Sequence, residues 1–215
     1  MRRILCLLLL WLVAGGPVAA TAPSSPVILV LGDSLSAGYG VALESSWVSR
    51  LERRLAEHGY SHRVVNAGIS GDTTRGGLSR LPNALERHRP EIVIIALGGN
   101  DGLRGLSLAA MRDNLAAMVR LARDAGARPV LAGVRLPPNY GPAYRERFRA
   151  VFADLARTLE VPLVPKIMAG VAGDPALMLD DGIHPNARGH ERIVDNVWVV
   201  IEPLLEPASA TAASD

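Results

Sequence analysis

The sequence predicts an α/β protein: a three-layer α/β/α sandwich around a central parallel sheet of about five strands. Three observations predict it. Short continuous apolar runs, of the kind that form strands buried on both faces, recur along the chain. Amphipathic helical patterns separate them, as βαβ units require. The glycine-rich polar segments follow the apolar runs directly, at the edge where open parallel sheets carry their sites.

The elements come in order. "VILVL" (Val27 to Leu31) is the first strand. In "SSWVSRLERRLAEHG", Trp47, Val48, Leu51 and Leu55 fall at helical spacing, and Gly59 ends the helix. "HRVVNAG" is a second, shorter strand. "GGLSRLPNALERHRP" has a helical pattern that Pro82 is expected to interrupt. "EIVIIALGG" is the strongest strand. A long helix in "LSLAAMRDNLAAMVRLARDAGA" stops at Gly126. "RPVLAGVRLP", "YRERFRAVFADLARTLE" and "VPLVP" supply a fourth strand, a helix and a short fifth strand, and a last helix runs from about Ala187 to Leu205.

At 215 residues, 49% hydrophobic and 20% charged, the chain has the balance of a globular protein with length for one domain. That domain is expected over 27–205. "MRRILCLLLLWLVAGGPVAA" has the layout of a cleaved secretory signal peptide: two arginines, an apolar core, a Gly-Gly-Pro break and small residues before a cut after Ala20. The core from Ile4 to Ala14 is about eleven residues, short of the ~20 that a membrane anchor needs. The Arg2-Arg3 pair matches a twin-arginine signal only weakly. Residues 21–26 form a short lead-in, and 206–215 a small, polar, disordered tail. A periplasmic or secreted bacterial protein is expected.

Cleavage would remove the sole cysteine, Cys6, and with it any disulfide, thiol nucleophile or thiolate metal site. It would also take two arginines from the 23 basic residues and none of the 21 acidic ones, so the net charge would fall from +2 to zero. The pI of about 9.0 belongs to the uncleaved chain and does not argue for nucleic-acid binding. His58 and His62 are four apart, but Gly59 lies between them and no carboxylate cluster supports a metal site. His190 reads as a surface or capping residue of the last helix.

Four segments carry chemistry. The first strand ends in Gly32-Asp33-Ser34, and the second is followed by "NAGISGDT". The third ends in "GGND", and "DDGIHPN" precedes the last helix. Taken singly, each is ordinary: serine and aspartate cap helices, glycines make turns, and acids tie loops. Together they supply a hydroxyl, an imidazole with an acid on its own tight loop, and donors for an oxyanion. Acyl transfer needs that set.

These segments resemble the SGNH (GDSL-type) hydrolases. The four blocks of that family occur in order, as Gly32-Asp33-Ser34, Gly71, Gly98-Gly99-Asn100-Asp101 and Asp181-Gly182-Ile183-His184. The longer stretches "LGDSLSAGYG", "ISGDT", "LGGNDGLRG", "RLPPNYG" and "DDGIHPN" are similar to the bacterial periplasmic thioesterase, lysophospholipase and arylesterase branch. The resemblance implies a flavodoxin-like SGNH hydrolase fold. It implies Ser34 as nucleophile, His184 as base and Asp181 as the acid that orients it. The oxyanion hole would comprise the N–H groups of Ser34 and Gly71 and the side-chain amide of Asn100. Asp101, Gly102, Leu103, Leu136 and Pro137 would line an acyl pocket, with "DGLRGLSL" suited to a mobile lid.

The implied enzyme is a serine esterase/thioesterase that cleaves small-molecule acyl esters and thioesters as a monomer. It needs no cofactor or metal, no nucleic acid, and at most a transient contact with a membrane surface. A carbohydrate O-deacetylase of the same family, and a non-catalytic flavodoxin-like module, are the alternatives.

Overall fold

The apolar runs become five strands: β1 (Val27–Gly32), β2 (Arg63–Gly68), β3 (Ile92–Ala96), β4 (Arg128–Ala132) and β5 (Leu163–Val164). The protein is described here by a computed structural model over residues 25–205. The expected signal peptide, Cys6 and the tail lie outside those residues. The strands pair in parallel in the order β2-β1-β3-β4-β5.

Side chains alternate across the sheet as strand geometry requires. Ile28, Val30, Ile92, Ile94 and Val130 face one side and pack against α2 (Trp47–Glu57) and α7 (Ala187–Ile201). Leu29, Leu31, Val93, Ile95 and Leu131 face the other, under α3 (Thr74–His88), α5 (Leu108–Asp124) and α6 (Pro142–Thr158). All five residues of β3, the central strand, are buried, so its sequence is continuously apolar. β2 is an edge strand and only partly buried, which leaves room for Arg63 and Asn66. Both helical layers and the parallel sheet agree with the expected three-layer architecture.

Three details differ from expectation. Two strand ends run straight into short helical turns, α1 (Ser34–Ala37) after β1 and α4 (Gly99–Leu103) after β3. The helix α3 passes through Pro82 without a break. Pro82 is exposed, so the carbonyl four residues earlier that loses its donor is not forced into the core. The third concerns His190, which is fully buried rather than on the surface.

His190 does cap a helix, but not its own. The Trp47 N–H, one of the free donors at the start of α2, donates to His190 Nδ1 at 3.1 Å. Nδ1 must therefore be the unprotonated nitrogen. Burial, followed by the charges of Arg50 and His184, lowers the pKa of His190 to about 4. The unfolded chain would bind a proton there near the ordinary histidine value, so this contribution to stability is present above pH ~6.5 and is lost as pH falls toward ~4. Its size is roughly 2–3 kcal/mol. His190→Gln can keep an acceptor for Trp47 without titrating. Thermal unfolding from pH 4 to 7 should show a flatter stability curve for this variant than for the parent. Parallel curves would contradict the assignment.

Candidate active site

β1 delivers Ser34. The strand ends at Gly32, Asp33 caps α1 by accepting the Leu35 N–H on Oδ1 at 3.0 Å, and Ser34 becomes the first residue of that turn. The late loop delivers the other two groups. An antiparallel bridge between Met178 and Pro185 closes its base, and the Leu179 N–H donates to the His184 carbonyl at 2.8 Å. Asn186 caps α7 with its side-chain oxygen, while its amide nitrogen donates to the carbonyls of Ala176 and Met178. The loop is therefore fixed from both ends.

Ser34 Oγ lies 2.9 Å from His184 Nε2, across 150 residues of sequence. His184 Nδ1 lies 2.6 Å from Asp181 Oδ2. Asp181 Oδ1 accepts the N–H groups of Ile183 and His184, each at 2.9 Å. Those bonds, first that of His184, hold the Asp181 carboxyl down at about 2. An ionised Asp181 fixes the proton of His184 on Nδ1, and Nε2 is then free to accept from Ser34. Asp180 is exposed and makes no hydrogen bond to His184. Tyr39 packs on the imidazole, with ring centroids 4.4 Å apart.

Gly71 and Asn100, the expected partners of the Ser34 N–H in an oxyanion hole, line the same cavity as Ser34. Gly71 is the third residue of a turn closed by the Asp72 N–H on the Ile69 carbonyl. Its φ of +80° is one that β-carbon residues rarely adopt. Gly98, with φ +114°, turns the chain from β3 into α4 and places Asn100 in that turn. Asn100 Nδ2 donates to the Asp72 carbonyl at 2.9 Å and reaches Asp33 Oδ2 at 3.5 Å. Burial pushes the Asp33 carboxyl up to about 6.

Ser34, Gly71, Asn100 and His184 open on a cavity of about 380 Å³. Its walls are aliphatic: Leu35, Leu97, Leu103, Val134, Ile167 and Met168, with Ala96 and Ala132 at the strand ends. Of the five residues expected to line an acyl pocket, Leu103 does so. Asp101 is 3% exposed, and its carboxylate accepts the N–H and hydroxyl of Thr74, tying α4 to the start of α3. Gly102 of α4 faces Leu136 and Phe148, and Pro137 leads into a 3₁₀ turn. Among the lining residues missing from the expectation are Val134, Ile167 and Met168. Ile167-Met168 follows β5 on the same sheet edge as the other segments, and that position was the available signal.

The expected mobile lid is tied down at its start. The Tyr140 hydroxyl donates to the Leu103 carbonyl at 2.8 Å, and that of Tyr144 to the Gly102 carbonyl at 3.3 Å. The two histidines four apart diverge: His58 packs on Trp198 with the rings tilted, and His62 bonds Glu91. Among the described residues, no three His, Cys, Asp or Glu side chains converge as a metal site.

A hydroxyl, an imidazole and a carboxylate in series at the mouth of a cavity, on the C-terminal edge of a parallel sheet, is the arrangement of a serine hydrolase. Comparison with known proteins agrees. A model of the GDSL-like lipase/acylhydrolase family matches residues 30–192. Esterase TesA of Pseudomonas aeruginosa is 48% identical over 182 residues, covering 85% of this chain and 90% of that protein. Thioesterase 1/protease 1/lysophospholipase L1 of Escherichia coli K12 is 41% identical over 184 residues, covering 86% and 87%. A crystal structure of TesA has a TM-score of 0.82 at 49% identity, over 83% of this chain and 99% of that one. The psychrotrophic esterase EstA from Pseudoalteromonas, solved as inhibited by monoethylphosphonate, has a TM-score of 0.79 at 37% identity, over 84% and 98%.

The chain belongs to the GDSL-like lipase/acylhydrolase family and is a hydrolytic enzyme. That membership sets aside the non-catalytic flavodoxin-like alternative, while the three-layer fold expected from the sequence stands.

Proposed function

We propose that this enzyme is a serine esterase/thioesterase that removes aliphatic acyl groups through an acyl-enzyme on Ser34. The observation that carries the reading is the Ser34–His184–Asp181 series opening on an aliphatic cavity. Ser34 Oγ attacks the acyl carbonyl carbon as His184 Nε2 takes its proton. The carbonyl oxygen becomes an oxyanion facing the N–H groups of Ser34 and Gly71 and the Asn100 amide. The carbon–oxygen or carbon–sulfur bond then breaks, and His184 gives its proton to the departing alcohol or thiol. Water, deprotonated by His184, releases the acid and restores Ser34.

Relatives named esterase, arylesterase and thioesterase/lysophospholipase support this substrate class. The cavity wall supports an acyl chain over a sugar, because among the described residues Tyr39 is the one Phe, Tyr or Trp lining it and it already packs on His184. Its volume is near the lower end for small-molecule sites, which favours short to medium chains. All three residues of the series come from one chain, so a monomer suffices. Export rests on the signal-like segment 1–20. No helix among the described residues is long and apolar enough to cross a membrane.

The test is a chain-length series from acetyl to palmitoyl, as oxygen esters, thioesters and lysophospholipids. The reading expects kcat/KM to rise from acetyl to a medium chain. A preference for acetyl on a sugar, with medium chains refused, would overturn it in favour of O-deacetylation.

A narrower test concerns Asn100. Asn100→Ala should lower kcat by about 10²–10³, the usual effect of losing one oxyanion donor. KM should change little, because the donor matters most once charge develops. An unchanged kcat in folded protein would remove Asn100 from the site.

A further inference from the structure

The Gly71 turn extends from β2, the edge strand, whereas Ser34 extends from β1. The relative position of the two determines whether an oxyanion formed at Ser34 meets the Gly71 N–H. One charged side chain bonds at both strand ends, beside the backbone bond from the Ile69 N–H to the Gly32 carbonyl at 3.0 Å. Arg80, in the second turn of α3, directs its guanidinium back over the ends of these strands. Its Nε donates to Asp72 Oδ2 at 2.8 Å, its Nη1 to the Ala67 carbonyl at 2.6 Å and its Nη2 to the Gly32 carbonyl at 3.0 Å. Gly32 is two residues before Ser34, Ala67 lies near the end of β2 four residues before Gly71, and Asp72 directly follows Gly71.

The planar fork of arginine fixes three acceptors in one geometry, which the single ammonium of lysine cannot do. The pair is also largely out of solvent, with side-chain exposures of 23% for Arg80 and 12% for Asp72. Asp72 is held further through its own Oδ1, which accepts the Thr73 N–H, and through its carbonyl, which accepts from Asn100. By contrast, Arg104, which donates to the Gly71 carbonyl from the other side, is exposed.

We propose that Arg80 is a positioning residue of this hydrolase: it holds the Gly71 turn in register with Ser34 and neutralises the Asp72 carboxylate one residue from that donor. The inference rests on the proposed role of Gly71 and Asn100 as oxyanion donors. Two effects follow from losing Arg80. The turn keeps the backbone bond from the Ile69 N–H to the Gly32 carbonyl but loses its side-chain tie to β1, and a poorly solvated carboxylate is left unpaired beside the place where negative charge develops.

The experiment compares Arg80→Lys, Arg80→Met, Asp72→Asn and the double variant Arg80→Met/Asp72→Asn on one activated ester. It reads kcat, KM, the pH profile and thermal unfolding. Arg80→Met should lower kcat about 100-fold and Arg80→Lys about tenfold, with KM within about threefold, as for a misplacement at the reacting centre. The acid limb of the pH profile should stay in place, because the His184–Asp181 pair is untouched. The double variant should regain several-fold in kcat over Arg80→Met, since it removes the unpaired charge; a purely structural role predicts further loss instead. If Arg80→Met does not fold, Arg80→Lys carries the test. Folded variants with near-parental kcat, or a double variant no better than Arg80→Met, would overturn the proposal. Ser34→Ala separates the two readings. If it is inactive while Arg80 variants turn over normally, this inference alone fails. If it remains active, the assignment of the site fails.

Discussion

Ser34→Ala is expected to lower kcat by roughly five to six orders of magnitude, the scale seen when a serine hydrolase loses its nucleophile. Ser34 Oγ is the hydroxyl that meets His184 Nε2, at 2.9 Å, and it does so at the opening of the cavity. The two nearby serines offer no substitute. Ser36 is fully buried, and Ser70 lines the cavity without a hydrogen bond to His184. Without Oγ no acyl-enzyme forms, and the remaining donors can only assist attack by water, a far slower route. The fold should survive, because the cap of α1 is made by Asp33 and not by Ser34. A folded Ser34→Ala enzyme with more than about a hundredth of parental kcat would mean that the reaction does not pass through Ser34.

The second large effect separates two neighbouring acids. Asp181→Asn is expected to lower kcat by about 10²–10⁴, and Asp180→Asn by less than about tenfold. Asp181 makes three hydrogen bonds in its loop, two with backbone N–H groups and one with the imidazole. An amide in its place can still accept from the backbone, but it carries no charge to stabilise the imidazolium that forms as Ser34 attacks. It can also turn its NH₂ toward Nδ1 and favour the wrong tautomer. Asp180 is exposed and lacks these bonds, so its replacement changes only surface charge. The measurement is kcat for both folded variants on one ester. A crippled Asp180→Asn beside a near-normal Asp181→Asn would reverse the assignment.

The loop geometry explains why these residues were legible in the sequence. Asp181 and His184 share four residues with a glycine between them, so their pairing is local and needs no knowledge of the fold. Ser34 was singled out by the Gly-Asp-Ser block of the family it resembles, together with the rule that parallel strands end at a common edge. The helices of both outer layers were legible for the same kind of reason. Trp47, Val48, Leu51 and Leu55 face one way at helical spacing, and all are buried.

What remained hidden depends on neighbours distant in sequence. Asp101 stands beside Asn100 in a functional segment, yet it turns inward because Thr74, 27 residues away, offers two donors. Val134, Ile167 and Met168 line the cavity because β4 and β5 bring two loops together, and none of the three falls in a stretch that carries the resemblance. His190 reads as an ordinary helical residue until α2 places the Trp47 N–H against it. Arg80 has no local mark either. Its three acceptors lie 8, 13 and 48 residues away, and only the closed sheet brings them to one guanidinium. Proline at position 82 misled for the opposite reason: its local meaning was clear, but its exposed position makes the lost hydrogen bond tolerable.

The central claim is that catalysis passes through a covalent acyl group on Ser34, and a fluorophosphonate tests it most directly. The reagent forms a bond with an activated serine and stops there, so the modified peptide identifies the nucleophile. The account predicts one adduct per chain on the peptide containing Ser34, formed in step with loss of esterase activity. It predicts no adduct in Ser34→Ala and a much slower reaction in His184→Ala. An adduct at Ser70 or Ser36 instead, or full inactivation with Ser34 unmodified, would contradict it.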